Sequence, residues 1–288
     1  MTGEIEKDES PSLRDVIQGG DIEATELLIK FGANVNDNYE RNLTPLHIAI
    51  GYKQFEIAKL LINNGANVNA KTENHGKDDL TPMHLAIFAN MPEFIELLAS
   101  NGASIDERES TEGHTPFHLA ALYGNKSVIQ ALVDKGQNIE DIDNNRRTAL
   151  FLAIRQCTGA EDDSRIEVIE YLINKLKADI TKKDNNNNTI LFPAANNCPG
   201  KVVKLIIKQY VEIFGRDKLK DFINHKNNAG MDDLDIALNS ENEEAIEVLR
   251  SYGADIENKV TPKITVEKPN STLDGAESVE VVSSIKQK

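Results

Sequence analysis

Thr44-Pro45-Leu46-His47-Ile48-Ala49-Ile50 opens a unit that continues as Phe55-Glu56-Ile57-Ala58-Lys59-Leu60-Leu61-Ile62 and closes on Gly65-Ala66-Asn67-Val68-Asn69. The opening returns as Thr81-Pro82-Met83-His84 and as Thr115-Pro116-Phe117-His118, each followed later by Gly-Ala or Gly-Gln and an Asn, Asp or Glu. Motif threonines stand at 44, 81, 115 and 148, with a weaker copy at 189, so the spacings are 37, 34, 33 and 41 residues. A period near 33 with two helical patterns per unit is a solenoid signature. Thr44 is placed to cap the first helix, and Pro45 falls at its first position, where a missing N–H leaves nothing unpaired. Ile57, Leu60 and Leu61 follow the i, i+3, i+4 spacing of a buried helical face. Gly65 stands where the second helix must end in a left-handed residue. One unit cannot bury its apolar stripe alone, so neighbours must stack.

This pattern resembles ankyrin repeats. Seven units are legible, near 12–36, 44–69, 81–106, 115–140, 148–181, 189–226 and 231–257. The resemblance implies an all-α ankyrin-repeat solenoid of helix-turn-helix units with short hairpin-like connections. Segments 1–11 and 258–288 read as disordered tails, the second carrying Val279, Val281, Val282 and Ile285 as a candidate binding segment. The copy at Thr148 lacks the Pro and the His, and an acidic insertion near 159–164 divides its helices. The copy at Thr189 has Phe192 for His, and Pro193 is expected to strain its first helix. It also carries an extra stretch, Tyr210 to Phe222. The unit opening at Met231 reads as a polar cap.

A net charge of −15 argues against direct nucleic-acid binding, which needs a concentrated positive surface. It suits solubility or a basic partner. No apolar run is long enough for a membrane span, and no secretory signal is visible at the start. The two cysteines, Cys157 and Cys198, fall at one repeat offset, too far apart for a disulfide, so free thiols are expected. The expected location is the cytoplasm, with the nucleus, or a host cytosol for an effector, as alternatives. The chain alone is expected to be a monomer.

Catalysis finds little support. The resemblance makes His47, His84 and His118 inter-repeat ties, not ligands or acid–base groups. His75, His114 and His225 fall in connections without metal-ligand spacing. No phosphate loop or paired nucleophile appears. Asp78-Asp79 and Glu161-Asp162-Asp163 read as solvated loops. Asp217, Lys218, Lys220 and His225 are the ionisable material of the extra stretch, with nothing to fix their geometry. The expectation is therefore no enzyme, no metal and no cofactor. Asn36 and Asn69 resemble asparagines hydroxylated in some ankyrin repeats; the competing reading is a turn-stabilising side chain bonding its own backbone.

In this family recognition falls on the hairpin tips and the outer positions of the first helices. On that register lie Leu43, Tyr52, Leu80, Phe88, Leu122 and Tyr123, followed by Arg147 and Arg155. Aromatics make up only 5% of the chain, and such residues are enriched at interaction hot spots, so their gathering on one register points to a partner surface. The competing reading is that they pack between neighbouring first helices. The expected function is a non-catalytic protein–protein interaction module, an adaptor or inhibitor. The alternatives are an inhibitor that masks a basic segment of a transcription factor, and a host-directed effector of an intracellular microbe or virus.

Overall fold

A computed structural model describes residues 11–73, 80–157 and 163–255. They divide between two compact units, one running to Ser104 and one from Ile105 onward. The described residues contain helices and turns and no strand. Among them no helix is long and apolar enough to cross a membrane. His75, Asp78-Asp79, Glu161-Asp162 and the tail residues Val279 to Ile285 lie outside the described residues.

The first unit pairs α1 (Leu13–Gly19) with α2 (Ile22–Lys30), α3 (Pro45–Gly51) with α4 (Phe55–Asn63), and α5 (Pro82–Phe88) with α6 (Pro92–Ser100). Helices α3 and α5 begin at the proline that follows each motif threonine. Both are apolar nearly all round, because they lie between neighbours, whereas α4 buries only the stripe Ile57, Ala58 and Leu61. Fully burying each such side chain contributes about 1.5–3 kcal/mol. Gly65 follows α4 at φ 86°, the left-handed turn the sequence requires there.

The second unit contains α7 (Pro116–Leu122) with α8 (Lys126–Asp134), α9 (Ala149–Arg155) with α10 (Asp163–Glu170, extended by a π turn to Lys175), α11 (Leu191–Asn197) with α12 (Gly200–Phe214), α13 (Leu219–Ile223), and α14 (Asp233–Asn239) with α15 (Glu243–Ser251). Pro193 does not strain α11. The helix starts at Leu191, so the proline falls in the first turn, where its absent N–H has no intrahelical partner to lose. Thr189 consequently caps nothing, and its buried hydroxyl has no hydrogen-bond partner among the described residues. The extra stretch is folded back on α12 by Tyr210, whose ring stacks on Phe222 with centroids 3.9 Å apart. Cys157 and Cys198 are buried thiols not joined by a disulfide.

Two side chains tie one repeat to the next. The Thr44 N–H donates to His47 Nδ1 at 3.2 Å, so Nε2 carries the ring proton and donates to the Leu80 carbonyl at 3.2 Å. His118 does the same between Thr115 and the Arg147 carbonyl, at 3.2 and 3.0 Å. The second tie is an asparagine. Asn36 donates to the Gly65 carbonyl at 2.9 Å and accepts from Asn67 N–H at 2.7 Å. Asn69 repeats this with Gly102 at 3.0 Å and Ser104 at 2.9 Å. The turn around each is held instead by Asn34 and Asn67, which accept from the N–H two residues on.

Burial pushes His47 and His118 down to about 4. Unfolded, both return to about 6.5, so between these values the unfolded chain binds protons the folded chain refuses. Stability is therefore full above pH 6.5 and is lost as pH falls toward 4, by about 3 kcal/mol per histidine. Urea titrations at pH 7 and pH 4.5 should show this loss, and His47→Gln should remove about half of it; an unchanged midpoint would exclude the neutral-imidazole tie. Asn69→Ala should cost about 1–2 kcal/mol by removing two inter-repeat bonds. Asn64→Ala, which removes one local bond to Leu60, serves as the comparison and should cost less.

Candidate functional site

The second unit turns at four tips, 109–114, 143–147, 184–188 and 227–231, each wound around one acceptor. The Glu109 carboxylate accepts the N–H groups of Thr111, Glu112 and His114 at 2.7–3.0 Å. Asp143 accepts those of Asn145 and Arg147 at 2.9 and 2.8 Å. Asp184 accepts those of Asn186 and Asn188 at 2.9 and 2.8 Å. Asn227 accepts those of Ala229 and Met231 at 2.9 and 3.0 Å. A side-chain acceptor bonding the backbone two residues on is how Asx turns form. Successive tips are then joined by backbone bonds: Asn144 to Glu112, Asn185 to Asn145, and Asn228 to Asn186, at 2.9–3.0 Å.

Between the first two tips lies a buried charge network. His114, 1% exposed, places Nδ1 3.5 Å from Glu109 and Nε2 3.3 Å from Asp143. Arg147 reaches Asp143 through Nε at 2.6 Å and Glu112 through Nη2 at 2.7 Å. Burial alone would raise Asp143, but bonds from His114 and from the backbone and guanidinium of Arg147 outweigh it and hold the carboxyl at about 2. Glu112, His114 and Asp143 bring potential ligand atoms within 4.8 Å of one another. The carboxylate oxygens of that set already bond Arg147, so a cation occupies the position a metal ion would take.

The residues expected to meet a partner are placed unequally. Leu43, Leu80 and Leu122 are at most 7% exposed and belong to the packed interior. Arg147 is equally buried and committed to the network. Tyr52 and Tyr123 close α3 and α7, Phe88 ends α5, and all three are half-buried. Arg155 ends α9, also half-buried, on the wall of a cavity of about 480 Å³ that includes Phe151, Phe192, Asn188, Asn196 and Asn197. Sequence reasoning missed Glu109, Glu112 and Asp143; for two of them the signal was an acid five or six residues before the motif threonine, Glu109 before Thr115 and Asp143 before Thr148, as Asp184 stands before Thr189. Lys220 pairs at 3.6 Å with Asp255, while Asp221 and His225 line a cavity of about 190 Å³ beside Tyr210. His225 Nε2 lies 2.9 Å from the Asn187 carbonyl.

Arg147→Met should cost about 3–5 kcal/mol, because it leaves Asp143 buried beside His114 without its cation. Arg155→Met should be neutral or stabilising. Urea midpoints that fall equally for the two variants would refute the difference in role.

The family model "Ankyrin repeats (3 copies)" matches residues 13–109 and 83–184. An ankyrin repeat protein of Fowlpox virus, FPV031, is 28% identical over 198 residues, covering 67% of this chain and 45% of the viral protein. The ankyrin repeat and KH domain-containing protein mask-1 of Caenorhabditis elegans is 27% identical over 174 residues, covering 60% of this chain and 6% of its own length. The chain thus spans less than half of these relatives. The crystal structure of the human ASB11 ankyrin repeat domain superposes with a TM-score of 0.67 at 22% identity, covering 85% of this chain and 99% of that one. Repeat register, helix pairing and the matched family model together make this chain a member of the ankyrin-repeat family.

Proposed function

We propose that the chain is a non-catalytic protein-binding module, acting as an adaptor or inhibitor by occupying a partner. The observation that carries the reading is the repeated half-buried aromatic at the end of a first helix: Tyr52, Phe88 and Tyr123. Each is partly buried and partly exposed, and aromatic residues are among those that concentrate binding energy at protein interfaces. Ankyrin repeats are in general a protein-interaction fold, and no established catalytic constellation competes with this reading among the described residues. Within it, 12–257 is the binding array, with Leu43, Leu80 and Leu122 buried on the same repeat register as the aromatics. Arg155 adds a cationic contact. The proposal extends to the whole chain in the cytoplasm of its cell.

A second reading, a host-directed protein of an intracellular microbe or virus, is favoured by the similarity to the Fowlpox virus protein. Masking of a basic segment draws on the net charge of −15 alone, and binding of a basic peptide insensitive to salt would dispose of it.

The test replaces Tyr52, Phe88 and Tyr123 together with Ala. Affinity purification from the native cell should lose the proteins retained by the wild type, a drop of about 100-fold or more if two of the rings are hot spots. Helicity and melting cooperativity should stay intact. A collapsed fold would mean that the rings are core, and full retention of partners would place binding elsewhere.

A further inference from the structure

Within the second unit, the walls of two cavities hold a local positive surplus that the chain's overall charge conceals. The cavity beside Arg155 adjoins another of about 560 Å³, the two sharing Asp184 and Asn185 in their walls. The cations of the joined walls are Arg146, Arg147, Arg155, Lys182 and Lys183. The acids are Glu112 and Asp184, and both are already engaged. Glu112 accepts from Arg147 and Asn145, and Asp184 from Asn186 and Asn188. The cations are less committed. Arg147 is bound within the network and Lys182 stands 3.9 Å from Asp179, but Arg146, Arg155 and Lys183 have no ion pair among the described residues.

Arg155 is the most telling of these. Its guanidinium is half-buried, and Glu112, Asp143 and Asp184 act on it only through space. Taking a cation from water without giving it a partner is costly, so Arg155 stands ready for an anion. Beside it, Asn196 donates to Asn197, and Asn197 to the Arg155 carbonyl, which leaves Asn196 Oδ1 accepting no bond among the described residues. A free amide oxygen matches a peptide N–H. Phe192, half-buried in the same wall, offers an apolar contact.

We propose that these joined cavities bind an extended acidic segment of a protein partner. An Asp or Glu carboxylate pairs in a fork with Arg155, the segment's backbone passes Asn196 and Asn185, and the next acids meet Arg146 and Lys183. This deepens the protein-binding reading and rests on it. Polynucleotide fits less well: phosphates carry no peptide groups to answer the amides, and a chain of net charge −15 lacks the broad positive surface that they need.

The probe is a fluorescein-labelled hexaglutamate peptide, with hexaglutamine as its uncharged match, titrated by anisotropy against the full chain at low and high salt. Hexaglutamate should bind about 10-fold or more tighter than hexaglutamine, and the advantage should shrink with salt. Arg155→Gln should erase most of it, Arg155→Lys should restore part, and exposed Lys183→Glu should weaken binding about 3-fold or more. The Tyr52→Ala/Phe88→Ala variant should leave peptide affinity unchanged. Equal binding of the two peptides, no binding of either, or full affinity in a folded Arg155→Gln variant would overturn the proposal. So would displacement of the probe by single-stranded DNA more effectively than by unlabelled hexaglutamate. Loss of partner capture in the aromatic triple variant with hexaglutamate binding intact would support the aromatic surface separately. Intact capture with failed peptide binding would sink the acidic-segment proposal alone.

Discussion

The imidazole of His47 closes two polar accounts that the fold leaves open. Its Nδ1 accepts from the Thr44 N–H at the start of α3, and its Nε2–H reaches the Leu80 carbonyl of the following repeat. Both groups are buried, where an unpaired donor or acceptor costs about 1–3 kcal/mol. The ring does this only while neutral, since a protonated Nδ1 could not accept. Repeat stacking therefore depends on a group held uncharged by the apolar packing that it helps to align. His118 meets the same constraint in the second unit, between Thr115 and the Arg147 carbonyl.

Where the histidine is absent, the tip bonds that also run beside His118 remain without it. Phe151 and Phe192 occupy the corresponding positions after Thr148 and Thr189, and neither can bond a neighbouring carbonyl. The joining there falls to the tips: Asp184 and Asn227 wind their turns, and backbone bonds link Asn185 to Asn145 and Asn228 to Asn186. This exchange has a chemical consequence. A buried imidazole leaves nothing for a ligand, whereas a wall built from asparagine amides and arginines presents donors and acceptors at the surface. The degenerate repeats are thus the chemically richer ones.

Much of the fold was legible because its signals are local. Thr-Pro with an apolar run marks a helix start, and the glycine at 65 marks an end, since each reflects backbone geometry within a few residues. Pro193 shows the limit of that reading. A helix can slide its start by one residue and absorb the proline, at the expense of the Thr189 hydroxyl, and only tertiary packing decides between the two. The site was less legible. Leu43 and Leu80 precede cap residues, and nothing local says that such a position faces the interior. Glu109 and Asp143 carry no local mark of burial. Asp143 meets His114, and Glu112 meets Arg147, across neighbouring turns, pairings about 30 residues apart that charge patterning along the chain does not reveal.

A chain of net charge −15 with a cationic recess is not a contradiction, because electrostatics at a surface are local. At physiological ionic strength the screening length is about 8 Å, so acids on distant helices scarcely act on Arg155, whereas Arg147 and Asp184 do. The bulk charge governs approach: it repels an acidic partner at long range and slows encounter, most of all at low salt. The recess governs residence: once a carboxylate pairs with a half-buried guanidinium, the lower local dielectric strengthens the contact. Such a surface would bind acidic segments selectively but not promiscuously, since a uniformly acidic molecule meets repulsion everywhere except at Arg146, Arg155 and Lys183. Specificity here follows from the repulsive field as much as from the attractive site within it.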